Sequence, residues 1–315
     1  MNRGGRLGGS QRQCYNKRRI KEETVAFENY TLYRLGIWLT GLLPRWLVYA
    51  IAALLAELNC LFSLRSRRGL YANLSHVLPP ETSSLRRWRI VRQVFRNFAY
   101  SVADFFRIPQ MNKDNLDRFI AGVVGWEHLQ AAMDSQVGGI FMTVHMGSWE
   151  LGGAYLGLRG VPLTAVALPH RDPRIDRIFI ERREAYGMEV VPVGGALRKL
   201  GEALTRGRFI ALASDRDVSG RGIMLPFFGQ AARMPIGHAL LALQTGAWIV
   251  PTCVYRLRNG QSVIEFRPPI IADPAHDTVE SLTQRCLGIL EELIRGRPEQ
   301  WSSFFDLWSA ELPVA

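Results

Sequence analysis

From about Gly122 onward, short apolar runs alternate with longer amphipathic ones. Ile140–Val144 is partly β-branched, preceded by two glycines and ended by His145, so it reads as a buried strand. Similar runs at Leu163–Leu168, Met188–Pro192, Phe209–Ala213, Trp248–Arg256 and Ser262–Arg267 predict further strands, the last two joined at Asn259-Gly260. Helical spacing predicts helices over Trp149–Arg159, Pro173–Tyr186, Ala196–Arg206, Pro235–Thr245 and Thr278–Arg295. Pro235 suits the first turn of its helix, and Gly246 suits the end. The alternation predicts an α/β fold: a mixed central β-sheet covered by helices, with its turns aligned at one edge.

The first third has a different pattern. Leu85, Trp88, Val91, Phe95, Phe98, Val102 and Phe105 recur at spacings of three and four, which predicts one long amphipathic helix over Ser84–Ile108. Upstream, two apolar pieces are split by Pro44-Arg45. The second, Trp46–Leu64, reaches about 28 Å as a helix, close to the thickness of a bilayer core. Glu57 and Asn59 interrupt it, and arginines stand on both sides, so neither a clean span nor an orientation follows. A helical hairpin lying in one leaflet is the expectation, with a transmembrane anchor and a buried core helix as rivals. The resulting division is a basic disordered tail at 1–30, an N-terminal helical membrane-associated region at 31–110 and an α/β domain at 111–315.

Charge sharpens that division. The net charge is +11 over 315 residues, and residues 1–110 carry 18 Lys and Arg against 6 Asp and Glu, leaving the remainder near neutral. Basic residues flanking apolar helices fit an anionic membrane surface better than nucleic acid. Four cysteines (Cys14, Cys60, Cys253 and Cys286) are widely spaced, which argues for reduced thiols and against a disulfide framework or zinc site.

The candidate chemistry sits at strand ends. His145 closes one strand, Met146-Gly147-Ser148 makes a turn, and Glu150 lies just inside the next helix. On one continuous helix, residues five apart point about 140° from each other, so His145 and Glu150 meet only across a turn, which Gly147 allows. Glu150 then accepts from one ring nitrogen and leaves the other as a base. A hydrogen-bonded core histidine is the plain alternative. Asp215, Arg216 and Asp217 follow Phe209–Ala213 and form a second polar cluster, equally readable as a loop in which the aspartates cap backbone groups. Arg183 stands in a charge-studded segment, His170 to Gly187, that also reads as a solvated helix. Phe227-Phe228-Gly229 reads as an aromatic lip. Neither a Gly-rich nucleotide-binding motif nor a GxSxG nucleophile elbow is present.

The stretch GGIFMTVHMGSWELGG resembles the signature of glycerolipid-type acyltransferases, in which a histidine is followed after four residues by an acid. It is most similar to the branch holding the late lipid A and phosphatidylinositol mannoside acyltransferases, and the resemblance runs from about Leu32 to Trp308. Within it Arg183, four residues before Gly187, matches a family arginine, with Arg171 as a second candidate. Asp215-Arg216-Asp217 resembles the family's acidic block. NFAYSVADFF, LPFFGQAARMPIGHALLALQTGAWIVP and PEQWSSFFDLW match further blocks; the last is read as sheet-edge packing or a membrane-facing lid.

The resemblance implies a membrane-associated O-acyltransferase on the cytoplasmic face of the membrane. A thioester donor, acyl-CoA or acyl-carrier protein, passes its acyl chain to a hydroxyl of a glycolipid or lysophospholipid-like acceptor, without cofactor or metal. His145 and Glu150 are the expected catalytic pair. Arg183, Arg171, Asp215, Arg216 and Asp217 are the expected substrate-binding residues. A membrane-bound thioesterase or lipid esterase, or a non-catalytic basic lipid-binding protein, are the competing readings.

Overall fold

The computed structural model describes residues 29–167, 170–192, 196–217 and 219–309. The expected tail at 1–30, apart from its last two residues, lies outside them, as do Cys14 and Leu168. Four helices come first: α1 (Tyr30–Leu42), α2 (Arg45–Phe62), α3 (Leu64–Val77) and α4 (Ser84–Arg107). The α/β part follows as β1 (Ile120–Val124), α5 (Trp126–Asp134), β2 (Gly139–Thr143), α6 (Trp149–Leu158), β3 (Leu163–Ala167), α7 (Pro173–Glu184), β4 (Glu189–Pro192), α8 (Ala196–Thr205) and β5 (Phe209–Ala213). A hairpin of β6 (Ile223–Phe227) and β7 (Gln230–Met234) then leads to α9 (Gly237–Thr245), β8 (Trp248–Arg256), β9 (Ser262–Phe266) and α10 (Val279–Gly296).

Seven strands form one mixed sheet in the order β1-β9-β8-β2-β5-β3-β4. Strand β2 is central and parallel to both β5 and β8, so the carboxyl ends of β2, β5, β3, β4 and β8 share one edge. Its alternating side chains seed the two halves of the core. Ile140 and Met142 pack with Leu204, Leu241 and Leu290 from α8, α9 and α10, while Phe141 packs with Leu129 and Leu151 from α5 and α6.

The β6–β7 hairpin was not legible in the hydrophobic pattern, and it corrects two expectations. Phe228 (φ +50°) and Gly229 (φ +79°) occupy a two-residue turn of the kind that matches strand twist. Phe227 and Phe228 are buried against Trp301 and Trp308, so they form core and not a lip. Met234 ends β7 and α9 starts at Gly237, which places Pro235 in the connection before the helix. Gly246 does close α9, in the left-handed conformation.

The N-terminal helices pack on one another and on α6, α7 and α10. Helix α2 packs along α4 through Val48, Ala56 and Cys60, and Glu57 pairs with Arg92 (2.8 Å) and Arg96. The aromatic tail runs back as a strap under α3 and α4. Asn73, fully buried, donates to Ser303 O (2.9 Å) and Phe305 O (2.8 Å) and accepts from Leu307 N (3.0 Å). Phe304 sits edge-on to Phe95 and Phe98. Trp301 forms a β-bridge with Met146 just past β2, so the tail packs at the carboxyl edge of the sheet, one of the two expected positions, with Trp301–Ser303 and Leu307 buried.

Candidate active site

Strands β2 and β5 are in register with Thr143 opposite Ala213, and the ladder continues as Ser214 N donates to Thr143 O at 2.8 Å. Two residues past those ends, His145 and Asp215 emerge side by side. Nδ1 of His145 lies 2.7 Å from Oδ1 of Asp215, and the His145 amide donates to Oδ2 at 3.3 Å. Trp301 Nε1 donates to the same Oδ2 at 2.9 Å. An ionised carboxylate only accepts, so Nδ1 carries the proton. Burial alone raises the Asp215 carboxyl, but the charge and hydrogen bond of His145, with Arg216 and Trp301, outweigh it and hold the group well below the usual carboxylate range.

The other ring nitrogen, Nε2, accepts from Arg216 Nη2 at 3.2 Å, which is consistent with a proton on Nδ1. The imidazole keeps 18% of its surface exposed, while Asp215 keeps none. Trp149 meets the ring edge-on at 5.4 Å, and the Arg216 guanidinium lies over Phe305. A partly exposed imidazole thus faces outward, with a buried carboxylate behind it and a guanidinium beside its second nitrogen.

The expected contact between His145 and Glu150 is replaced by this one. The turn forms as anticipated: Gly147 has φ +54°, and a Cβ there would stand 2.2 Å from Val254 O, so both conformation and space require glycine. Beyond it, however, Glu150 in the first turn of α6 is taken by Arg183 of α7, through Nε at 3.1 Å and Nη2 at 2.5 Å. Burial lowers the Arg183 pKa, but the Glu150 carboxylate outweighs it and the guanidinium ends up above its ordinary range. The orienting acid comes from the neighbouring strand, while the acid near in sequence fixes an arginine.

One substrate-binding expectation changes as well. Asp217 is buried and spends its carboxylate on its own loop, accepting from Ser219 N (2.9 Å), Ser219 Oγ (2.7 Å), Gly220 N (3.2 Å) and Gly222 N (2.7 Å). Its oxygens are therefore occupied by backbone capping and not turned to an acceptor. Arg171 lies exposed just before α7.

Several supporting residues went unread. Trp301 anchors Asp215 from 86 positions away. Ser302 donates through its amide (2.8 Å) and hydroxyl (2.9 Å) to His145 O, and Ser101 of α4 donates to Gly147 O at 2.6 Å. These bonds bring α4 and the strap onto the turn that follows His145, and the only signal was that both segments fell in matching blocks. Among the described residues, no three His, Cys, Asp or Glu side chains gather as metal ligands. A groove of about 630 Å³ lined by Lys113, Leu116, Trp126, Tyr155 and Arg159 shares no residue with this site.

The chain is similar to known acyltransferases. The family model described as bacterial lipid A biosynthesis acyltransferase matches residues 19–310. The chain is 32% identical over 214 residues to a phosphatidylinositol mannoside acyltransferase of Mycobacterium tuberculosis (strain CDC 1551 / Oshkosh), covering 66% of this chain and 67% of that one. The enzyme of the same name from Mycolicibacterium smegmatis is 31% identical over 227 residues, 71% of this chain and 73% of the relative. A lipid A biosynthesis acyltransferase of Haemophilus influenzae is 21% identical over 272 residues, 85% and 80% of the two chains.

Proposed function

The chain belongs to the bacterial lipid A biosynthesis acyltransferase family, and on that footing we propose that it moves a fatty acyl group from a thioester to a hydroxyl of a mannosylated phosphatidylinositol-like glycolipid. The observation that carries the reading is the His145–Asp215 pair at the carboxyl edge of the sheet. His145 Nε2 takes the acceptor's hydroxyl proton as the oxygen attacks the thioester carbonyl, and Asp215 stabilises the imidazolium. The tetrahedral intermediate collapses, the C–S bond breaks, and the imidazolium returns the proton to the leaving thiolate. Arg216 leaves Nε2 when the hydroxyl arrives and is then beside the developing oxyanion. No acyl-enzyme is required, because the thioester is already activated. The Glu150–Arg183 pair presents a fixed cation to a phosphate of donor or acceptor. The higher identity to the mannoside enzymes favours that acceptor class, and the donor carrier we propose with it is coenzyme A.

A seat on the cytoplasmic membrane face accompanies this. Helix α2 is long and apolar enough to cross a bilayer, but its pairing with α4 through Glu57 favours a helix lying along the surface. Trp38, Trp46 and Phe62 are 61%, 71% and 76% exposed. Arg67 of α3 lies over Trp88 and Arg87 of α4 over Tyr71, and these cations are offered to anionic headgroups.

The test is release of free thiol from a long-chain acyl-CoA by purified protein on vesicles. Release that requires the glycolipid, with the acylated glycolipid seen by mass spectrometry, supports transfer. Equal release without acceptor identifies a thioesterase instead.

A further inference from the structure

A second cluster of charged and hydroxyl side chains lies behind the catalytic turn and takes no part in the proposed chemistry. Asp104 of α4 and Arg256 at the end of β8 are both buried and form an ion pair. Ser148, three residues after His145 and also buried, donates to Asp104 Oδ2 at 2.5 Å and accepts from Arg256 Nη2 at 2.8 Å. A third partner comes from α2: the Tyr49 hydroxyl donates to Asp104 Oδ1 at 2.5 Å and accepts from Arg256 Nη1 at 2.9 Å. Arg45, on the same helix, donates to that hydroxyl at 3.1 Å. Asp104, Ser148 and Arg256 are buried and Tyr49 half-buried, and they share hydrogen bonds, so moving one displaces the others.

The arrangement is more than interior charge balance. An ion pair of this kind is weak evidence for stability, since an apolar replacement of similar volume is often as stable. What is particular here is where its two ends lie. One end is Ser148, the N-cap residue just before α6 and the last residue of the turn, and Ser101 on the same face of α4 holds Gly147 O. The other end is a phenol on the helix that presents Trp46, Leu54 and Phe62 outward.

We infer that Asp104, acting through Ser148, is a positioning residue for the turn bearing His145, and that Tyr49 links this position to the seating of α2 on an anionic bilayer. When α2 is fixed in the headgroup layer, the phenol is held against Asp104 and the turn is ordered. When α2 is free, the turn loosens. The inference rests on the acyl-transfer reading for its kinetics and on the membrane seat for its trigger.

The experiment uses the full chain with vesicles of phosphatidylcholine containing phosphatidylglycerol. Hydrogen exchange is followed in the peptide covering residues 145–152. In the wild type, vesicles slow this exchange; in Tyr49→Phe, which binds the vesicles equally, they do not. In turnover, Ser148→Ala lowers kcat about 10- to 100-fold, the range for a misplaced reacting group, with KM within about twofold. The Tyr49→Phe/Ser148→Ala double variant is no slower than Ser148→Ala, because both act through one path. Bound wild type without slowed exchange, a Tyr49→Phe variant that responds like the wild type, or additive kinetic losses each overturn the inference. Wild type that stays off the vesicles overturns the membrane seat and the link together. If no acyl transfer occurs, that reading fails alone and the exchange measurement still decides. Both substitutions remove a single hydroxyl, and thermal melting confirms that each variant is folded.

Discussion

Replacing Asp215 by asparagine separates two accounts of the catalytic pair. Oδ2 of Asp215 is held by two donors, Trp301 Nε1 and the His145 amide, and Oδ1 faces Nδ1 alone. An asparagine in this cage places its carbonyl oxygen where two donors converge and turns its amide nitrogen toward Nδ1. That nitrogen donates, so Nδ1 must accept and the proton moves to Nε2, where the base is required. A wrong tautomer at a Ser-His-Asp triad costs on the order of 10⁴-fold in kcat, or about 5 kcal/mol of barrier, and the same scale is expected for this pair. Glu150→Gln leaves the imidazole's partners in place and weakens only the grip on Arg183. Its loss is expected mainly in KM, by about 10-fold, the scale of one weakened charge-assisted bond. Initial rates of thiol release, with saturation curves in both substrates and folding checked by circular dichroism, provide the comparison. A Glu150→Gln enzyme impaired in kcat as deeply as Asp215→Asn would refute the reasoning, because Glu150 would then be the acid that orients the base.

Other variants probe the supports. Gly147→Ala combines a positive φ with a Cβ 2.2 Å from Val254 O, so activity should vanish along with a stability loss above the roughly 1 kcal/mol of backbone strain alone, read by thermal melting. Asn73→Ala strips partners from three backbone groups of the strap; a loss of roughly 1–3 kcal/mol is expected, and protease cleavage near residues 303–307 should speed up. His238 is buried with neither ring nitrogen bonded, and burial pushes its pKa down to about 4 from 6.5. The unfolded chain therefore binds a proton that the folded one refuses, so stability falls as pH drops from about 6.5 to 4, by about 3 kcal/mol. His238→Leu should flatten that part of the curve in denaturant titrations, and an unchanged slope would assign the acid sensitivity elsewhere.

Much of the α/β frame was legible because its strands are short apolar runs closed by turn residues, and β2, β5 and β8 needed no more than that. The Gly147 turn was legible for the same local reason. What could not be read was adjacency. His145 and Asp215 are 70 residues apart and meet only because β5 inserts beside β2 in the register of Thr143 with Ala213, and strand order leaves no trace in periodicity. Glu150 looked like the partner because it was near in sequence, yet the same turn carries it to an arginine on α7. Ser101 and Asp104 lay inside an amphipathic helix whose apolar stripe already explained its pattern, so their bonds to the turn were hidden. The two phenylalanines of the β6–β7 turn were misplaced because a glycine-containing loop usually lies at the surface, whereas this one is covered by the strap.

The central claim, a histidine base for acyl transfer, is tested most directly by His145→Ala. Purified variant and wild type are incubated with acyl-CoA and mannosylated phosphatidylinositol on vesicles, and the acylated glycolipid is quantified by mass spectrometry. The account predicts a folded variant that makes product at least about 10²-fold more slowly. A folded variant that works at close to the wild-type rate would contradict it.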